Sequence, residues 1–271
     1  IESVSISGST NEMDKSETKQ QNKTDITEMR SVEQILSDMN KLIGLSSVKQ
    51  EVGSLVNFVR VRKIRKEQGL TVAPMSYHLV FTGNPGTGKT TVARLLAELY
   101  CILGLISKGH LIEIDRSGLV AGYVGQTALK VKEVLEKAKG GVLFIDEAYA
   151  LTVGRGDNDF GTEAIDVLLK GMEDYRDDLI VVVAGYPDKM GAFLRSNPGL
   201  KSRFNKFLVF EDYSAQELHD IFLQMSQNNG YLLTEQCSNR LLVKLKKLCN
   251  SKDESFGNAR TARNNFEKTI I

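Results

Sequence analysis

Residues 83–90 constrain the fold of this chain more than any other segment. They read Gly-Asn-Pro-Gly-Thr-Gly-Lys-Thr, which matches the G-x-x-x-x-G-K-T pattern of a phosphate-binding loop (P-loop). The apolar run 79–82 precedes the loop, and apolar residues at helical spacing follow it over residues 92–99. A glycine-rich loop between a strand and a helix turns backbone N–H groups toward an anion, and the helix dipole adds positive potential at the same place. The sequence therefore predicts a nucleoside triphosphate site at this loop.

The positions of the P-loop have separate predicted roles. The Lys89 ammonium would bridge the β- and γ-phosphates, and the Thr90 hydroxyl would bind Mg²⁺. The glycines would allow the backbone to curl around the phosphates. The predicted nucleotide contacts take in most of the loop and the residue after it: Asn84, Pro85, Gly86, Thr87, Gly88, Lys89, Thr90 and Thr91.

Composition argues against several other kinds of protein. The 271 residues carry a formal charge of +1, so no global field favours nucleic acid or a membrane surface. The three cysteines match no metal-ligand spacing and suit a reducing cytoplasm, and no apolar stretch reaches the length of a membrane span. The basic run 60–66 has no interleaved aromatic residues, so a solvated helix end is favoured over a contact with nucleic acid or a neighbouring subunit. We expect a cytoplasmic protein without nucleic-acid or membrane partners.

Changes of pattern along the chain predict three segments. Residues 1–30 are polar, and we expect a disordered linker or tail there. Residues 31–212 alternate apolar runs with amphipathic helices, which predicts an α/β nucleotide-binding domain whose parallel sheet is covered on both faces. The runs predicted as strands are 79–82, 111–114, 142–145, 179–184 and 207–210. Residues 213–271 show only helical patterns, which predicts a small helical domain that the end of the chain could truncate. Because the chain starts with isoleucine, we expect a piece of a longer protein or a trimmed form.

Two serine-led motifs predict helix starts. Ser47 with Gln50, and Ser214 with Glu217, have the three-residue spacing of a capping box. In such a box each side chain accepts a hydrogen bond from the other residue's backbone N–H. We expect a helix to begin at each motif.

Two acidic residues follow the apolar run 142–145. A buried strand would place Asp146 at its carboxyl end, where open α/β sheets bind ligands. Asp146 would then hold Mg²⁺ through water, and Glu147 would polarise the attacking water. Such a pair is a weak signal alone, since strands often end in acids. Together with an upstream P-loop it makes ATP hydrolysis the favoured interpretation.

The segments GNPGTGKTT, VLFIDEAYAL and SNPGLKSRF make the chain similar to AAA+ ATPases. Within that superfamily the chain resembles the group of red-type Rubisco activases and stage V sporulation protein K ATPases. This second resemblance rests on GLVAGYVGQTALKVKEVLEKAKGGVLFIDEAYAL, DLIVVVAGYPDKM and GNARTARNNFE, and it extends over about residues 31–271. It implies a P-loop parallel five-stranded sheet sandwiched by helices, an all-helical lid domain after it, and ATP with Mg²⁺ as cofactors.

The resemblance also implies roles for particular arginines. Arg203 matches the arginine that enters the neighbouring subunit's site and stabilises the γ-phosphate transition state. Arg195 is a nearby competitor for that role, and a surface ion pair is the alternative role for Arg203. Arg260 matches the sensor 2 arginine of the lid, which reaches the γ-phosphate from the same subunit, and Arg263 is the fallback.

Two further positions keep open alternatives. By family position Ile43 and Gly44 would lie against the adenine, but an ordinary helix break explains them equally well. Many relatives end the fourth strand with a polar Asn or Thr that orients water. Here the strand is followed by Tyr186, which would serve through its hydroxyl or simply pack as a ring.

A glycine-flanked aromatic residue predicts a substrate contact. Tyr123, Val124 and Gly125 match the aromatic-hydrophobic-Gly loop that lines the central pore of AAA+ rings and grips a polypeptide. The alternative is that Tyr123 packs on its own domain, which a glycine-flanked loop disfavours. The polar segment 152–161 would form a second mobile loop near the pore.

Three functions compete at this level. The favoured one is an ATP-driven motor, hexameric when active, that remodels or threads a protein substrate. The alternative is a nucleotide-controlled interaction switch that threads nothing. A DNA-acting AAA+ protein is disfavoured because the sequence holds no recognisable DNA-binding element. The expected partners are other copies of this chain and a protein substrate, and general remodelling ranks above Rubisco activation.

Overall fold

The computed structural model describes residues 30–73, 75–123, 125–152, 160–251 and 256–270. Residues 1–29 of the predicted tail, Val124, and residues 153–159 of the predicted second loop lie outside the described residues. The strands are β1 (Leu79–Gly83), β2 (Leu111–Ile114), β3 (Val142–Ile145), β4 (Ile180–Gly185) and β5 (Lys206–Phe210). The helices are α1 (Val32–Lys41), α2 (Ser46–Glu67), α3 (Lys89–Ile102), α4 (Arg116–Leu119), α5 (Gln126–Ala138), α6 (Phe160–Asp174), α7 (Pro187–Arg195), α8 (Pro198–Arg203), α9 (Ala215–Asn228), α10 (Glu235–Ser251) and α11 (Ala259–Ile270). None of these helices is both long and apolar enough to span a bilayer.

Within the described ranges the strands form one parallel sheet in the order β2-β3-β4-β1-β5. The strand before the P-loop, β1, pairs with β4 on one side and β5 on the other, where Leu79 lies opposite Val182 and Lys206. Only β4 separates β1 from β3. Because parallel strands end at the same edge, the sheet brings the P-loop close to the acidic residues that follow β3.

Helices cover both faces of the sheet. On one face α1, α2 and α3 pack over a cluster that includes Leu79 and Phe81 of β1. On the other face α5, α6 and α7 pack over a cluster that includes Val80, so successive residues of one strand serve opposite cores. Every residue of β3 and β4 is buried, as expected for strands covered on both sides. The predicted fold, a parallel five-stranded sheet sandwiched by helices, is confirmed.

The C-terminal helices α9, α10 and α11 pack around their own small apolar cluster, which includes Leu218, Leu245 and Ala262. The helix α9 begins at the predicted capping box. The Ser214 hydroxyl accepts from the Glu217 N–H at 3.2 Å, and the Glu217 carboxylate accepts from the Ser214 N–H at 2.7 Å. The predicted all-helical lid and its capping box are therefore confirmed.

The capping box predicted at Ser47 is wrong. The helix α2 begins two residues earlier than a Ser47 cap would place it, after Leu45, whose backbone is left-handed (φ 58°) and whose side chain makes no cap. Ser47 therefore lies inside the first turn, and its hydroxyl donates to the Val209 carbonyl at 3.3 Å. Sequence reasoning also missed the capping box that Ser31 and Gln34 form at the start of α1.

Candidate nucleotide site

The P-loop backbone curves as its glycines predicted. Gly86 and Gly88 have positive φ angles of 73° and 94°, a region that residues with a Cβ rarely adopt. A Cβ at Gly86 would also lie 2.2 Å from the Gly257 carbonyl oxygen, so only glycine fits there. Inside the turn, the buried Thr87 hydroxyl donates to the Asn84 carbonyl at 2.8 Å and closes the loop. The loop is held in shape by its own groups.

The Lys89 ammonium sits at the centre of this loop. Its Nζ donates to the carbonyls of Gly83 at 2.9 Å and Asn84 at 2.8 Å. Burial, the largest influence, lowers the pKa of Lys89, and the nearby Arg260 charge lowers it further, whereas the Asp146 carboxylate opposes both. A half-buried cation that is hydrogen-bonded to neutral carbonyls is a strong site for an incoming anion.

A cavity of about 570 Å³ opens over the P-loop, a size common for nucleotide-scale ligands. It lies between the carboxyl edge of the sheet, the turn after α1, and the lid helices α9 and α11. The predicted site residues that line it are Ile43, Pro85, Gly86, Gly88, Lys89, Thr90, Thr91, Asp146, Glu147 and Arg260. The fallback Arg263 lines it too. Residues far apart in sequence thus meet at one pocket.

The two acids stand at the end of β3, opposite the start of α3. The Asp146 N–H continues the hydrogen bonding between β3 and β2, since it donates to the Ile114 carbonyl at 2.8 Å. Glu147 then turns sharply through a left-handed backbone conformation (φ 49°), which is unusual for a residue with a side chain. Such conformations cost about 1–3 kcal/mol and cluster at functional sites. Both acids line the pocket on either side of this turn in the chain.

The donor set around Thr90 and Asp146 fits a hydrated magnesium ion. The Thr90 hydroxyl now donates to the Glu113 carboxylate at 3.1 Å, so its oxygen lone pairs are available to a cation. Among the described residues no group of three or more Asp, Glu, His or Cys side chains could hold a metal by itself. Mg²⁺ in this pocket would therefore take most of its oxygen ligands from phosphate and water, as it does in other nucleotide sites.

Sequence reasoning missed the apolar and lid side of the pocket. Tyr213, at the junction with the lid, lines the cavity and donates its hydroxyl to the Thr87 carbonyl at 3.3 Å. Burial, with a smaller contribution from the Glu217 carboxylate, raises the pKa of Tyr213 to about 12, so the phenol remains a donor. The other lining residues that were missed are Leu42, Leu45, Gly185, Ile221, Gln224, Met225, Asn228 and Ala259. Ile221 and Met225 lie four residues apart in α9, a spacing that indicates a packing face but not that the face borders a cavity.

Tyr186 lines the pocket and also packs as a ring. Its ring centroid lies 5.8 Å from that of Tyr149, and the Lys189 ammonium lies 4.9 Å from the Tyr186 ring. Burial and then the charge of Glu147 raise the pKa of Tyr149 well above its ordinary value. Tyr186 therefore lines the pocket, and Tyr149 packs against it close to the Glu147 carboxylate.

Some predicted residues do not line the pocket. Asn84 and Thr87 lie behind the P-loop backbone, and Gly44 (φ 65°) packs instead against Tyr213 and Glu217. The left-handed Gly44 ends the α1 turn, which is the helix-break role left open for it.

Arg203 and the Tyr123 loop lie away from the pocket. The Arg203 guanidinium, at the end of α8, donates to the Glu173 carboxylate at 3.2 Å, and its side chain is 29% exposed. Tyr123 is 74% exposed, and Gly125 (φ 78°) directly precedes α5. Neither residue can act on the pocket of its own chain in this conformation.

Comparison with known proteins agrees with this geometry. A family model described as the ATPase family associated with various cellular activities (AAA) matches residues 79–212, and an AAA lid domain model matches residues 214–271. The crystal structure of the FIGL-1 AAA domain in complex with ADP is similar in fold, with a TM-score of 0.53 at 19% identity over 78% of this chain and 70% of that one.

Relatives are found at higher identity. The chloroplastic ribulose bisphosphate carboxylase/oxygenase activase of Cyanidioschyzon merolae is 42% identical, covering 89% of this chain and 82% of the relative. Stage V sporulation protein K of Bacillus subtilis is 42% identical over 88% of this chain and 74% of the relative. The CfxQ homolog of Galdieria sulphuraria is 44% identical over 88% and 77%. The chain therefore belongs to the AAA family of ATPases, among the CfxQ/CbbX, Rubisco activase and stage V sporulation protein K homologues.

Proposed function

We propose that this chain is an ATP hydrolase that couples ATP turnover in a ring to the remodelling of a protein substrate. Membership of the AAA family supports ATP hydrolysis in general. The observation that carries the specific proposal is the single pocket in which the P-loop, the acids after β3 and the lid arginine meet. Residues 31–212 would be the nucleotide-binding domain and residues 213–271 its lid, in a protein that acts in the cytoplasm.

The chemistry would follow from the positions of the pocket residues. When bound, Mg²⁺ would neutralise charge on the phosphates, held by the Thr90 hydroxyl and, through water, by Asp146. Lys89 would exchange its two carbonyl partners for phosphate oxygens, and Arg260 would reach the γ-phosphate from the lid. Glu147 would accept a proton from the attacking water as the water adds to the γ-phosphorus and the bond from that phosphorus to the bridging oxygen breaks, with ADP as the leaving group. This role is supported by the position of Glu147, which lines the same pocket as Lys89 and Asp146.

The adenine would lie on the apolar side of the pocket. Ile43 lines this side, and the neighbouring Leu42, Leu45 and Met225 add apolar surface. Burying a flat aromatic base against such side chains contributes affinity without reading its hydrogen-bond edge.

The ring is proposed from the position of Arg203. Its guanidinium lies outside its own pocket, partly exposed at the end of a short helix. A side chain placed there is free to serve the pocket of an adjacent copy, where it would stabilise transition-state charge. The Glu173 ion pair would hold the arginine in place until the neighbour arrives. We expect a homo-oligomeric ring, with six subunits as in related motors.

The substrate contact is proposed from the exposure of Tyr123. An aromatic side chain that is 74% exposed, two residues before a left-handed glycine, has surface free for a polypeptide. The loop Tyr123, Val124 and Gly125 would line the central pore, with Val124 outside the described residues. A Rubisco activase among the relatives is consistent with a protein substrate, although general remodelling remains the broader proposal.

A trapping experiment would test this function. Glu147→Gln should retain ATP binding and stop hydrolysis, which would freeze an assembled ring on its substrate. Capture with this variant would be compared with capture by Glu147→Gln/Tyr123→Ala. A matched control, Glu147→Gln/Leu129→Ala, removes another exposed apolar side chain (61% exposed) from α5.

The outcomes separate a motor from a switch. A substrate that is held by Glu147→Gln and by the Leu129 control, but lost with Tyr123→Ala, supports threading. Equal capture by all three proteins would refute threading and favour a nucleotide-controlled interaction switch. Absence of ATP hydrolysis by the wild-type protein would refute the enzyme assignment itself, provided that Lys89→Ala serves as the negative control.

A further inference from the structure

The lid residue Asn258 uses every hydrogen-bonding group of its side chain on the nucleotide-binding domain and the junction. Its side chain is fully buried. The amide Nδ2 donates to the Asp212 carboxylate at 2.9 Å and to the Pro85 carbonyl at 3.2 Å, and Oδ1 accepts from the Tyr213 N–H at 2.9 Å. The reverse amide orientation would place its oxygen against two acceptors. The donors and acceptors therefore select one orientation.

Asp212 joins this amide to the P-loop a second time. The same carboxylate oxygen that accepts from Asn258 also accepts from the Asn84 Nδ2 at 2.8 Å. Asn84 is a P-loop residue, so Asp212 lies between one side chain of the loop and one side chain of the lid. We call Asn84, Asp212 and Asn258 the clamp.

Close backbone contacts between the P-loop and the start of α11 surround the clamp. The Ala259 N–H, the first of α11, donates to the Gly86 carbonyl at 3.1 Å. Gly86 and Gly257 approach so closely that a Cβ would not fit between them. Asn258 itself has a left-handed backbone (φ 50°), which asparagine tolerates better than most residues. The clamp thus sets how the P-loop and the first turn of α11 meet.

Arg260 follows Asn258 by two residues and lines the pocket. Because the clamp holds the first turn of α11 against the outside of the P-loop, it also orients the arginine that faces the inside. We propose that Asn258 and Asp212 are positioning residues that couple the lid to the P-loop and thereby set nucleotide affinity. They act through Arg260 and the P-loop backbone and touch no nucleotide. This inference rests on the proposed nucleotide site.

The test uses paired substitutions that reverse the donor and acceptor. Asn258→Asp keeps an acceptor for the Tyr213 N–H but places a second carboxylate against Asp212. Asp212→Asn alone keeps an oxygen that can accept from both partners. The double variant Asn258→Asp/Asp212→Asn restores one donor–acceptor pair between positions 258 and 212 in the opposite direction, while the contacts of these positions with Pro85 and Asn84 stay disrupted. Asn265→Asp is the matched control, since Asn265 lies on the same helix and contacts Lys244 and the Thr261 carbonyl, away from the P-loop.

Two measurements are made on each variant. One is the Kd for ADP, measured by displacement of a fluorescent ADP analogue, which does not depend on hydrolysis. The other is amide hydrogen exchange of the nucleotide-free protein over residues 256–262, which reports the Ala259 N–H. We expect Asn258→Asp to raise the Kd at least about tenfold, equivalent to about 1.4 kcal/mol, and to accelerate this exchange. The Kd of the double variant should be at least about threefold lower than that of Asn258→Asp. The Kd of Asn265→Asp should equal that of the wild type.

Several results would overturn the proposal. Unchanged ADP affinity in Asn258→Asp would show that the clamp does not set affinity. If Asn258→Asp and Asn265→Asp weaken ADP binding equally, and the double variant recovers no affinity, the substitutions disrupt the lid in general. If Asn258→Asp does not fold, Asn258→Gly suits the left-handed backbone, removes the same donor and carries the same expectation. If the wild type binds no ADP, the proposed function fails, and the exchange measurement alone decides whether the clamp couples the two parts.

Discussion

Acidification should weaken the fold through His78, which is buried just before β1. The ring is 6% exposed, its Nδ1 accepts from the Val181 N–H at 3.0 Å, and it packs against Phe204 at 5.9 Å between centroids. Burial, with a smaller contribution from the Arg203 charge, lowers the pKa of His78 from 6.5 to about 4. The ring is therefore neutral in the folded state, and its Nδ1 lone pair extends the hydrogen bonding between β1 and β4.

The sign and size of the effect follow from these values. A histidine whose pKa is lower in the folded state contributes stability that is complete above its unfolded pKa and is lost as the pH falls toward the folded pKa. One pKa unit corresponds to about 1.4 kcal/mol, so full protonation would cost about 3 kcal/mol. At pH 5 most of the unfolded chains but few of the folded ones are protonated at this residue, and we expect a loss of about 2 kcal/mol relative to pH 7.5.

The assay is urea unfolding followed by circular dichroism at several pH values between 7.5 and 5, for the wild type and His78→Asn. Asparagine places an oxygen near the position of Nδ1 and cannot be protonated in this range. The free energy of unfolding of the wild type should fall by about 2 kcal/mol more than that of the variant over this interval. Parallel curves for the two proteins would refute the reasoning and assign the acid sensitivity to other groups.

Three further results are expected. Gly86→Ala should weaken ADP binding at least about tenfold in a titration, because its Cβ meets the Gly257 carbonyl and its φ angle is positive. Arg203→Ala should lower the kcat for ATP about a thousandfold, and mixing it with Glu147→Gln should restore part of the activity, because the second protein supplies the missing arginine. No recovery on mixing would count against action between subunits. Ser214→Ala should lower the thermal midpoint of the lid, as loss of a helix cap costs about 1 kcal/mol, and an unchanged midpoint would show that the capping box contributes nothing there.

The sequence predicted most of the fold because the patterns that indicate it are formed by residues close together in the chain. The P-loop between an apolar run and an amphipathic helix, and the acids directly after the run 142–145, depend only on neighbouring residues. The near-continuous apolar runs correctly indicated a parallel sheet buried on both faces. The capping box at Ser214 was also predictable, whereas the similar spacing at Ser47 was misleading. There Gly44 and Leu45 have left-handed backbones, and α2 starts two residues before the position that a Ser47 cap would give.

The clamp could not be predicted, because its three residues are separated by up to 174 positions in the chain. The residues around Asn84 do not indicate that its amide will contact Asp212. The sensor 2 segment likewise predicts a role for Arg260 but not the contact between Asn258 and Asp212. Buried polar side chains carry little sequence signal, since the same residue types more often lie in exposed turns. Their partners become evident only when the lid has docked.

The sequence by itself determined the kind of chemistry this chain can support. Loop curvature at glycines, the charge of Lys89 and the carboxylates of Asp146 and Glu147 are properties of consecutive residues, so they can be read directly from their order. The tertiary structure alone decided which residues share the pocket. The strand order brings β3 close to β1, and the docking of α11 against the P-loop places Arg260 inside the pocket while Arg203 remains outside. These placements depend on long-range packing of apolar faces, which constrains where each element lies but leaves little trace in any one segment of the sequence.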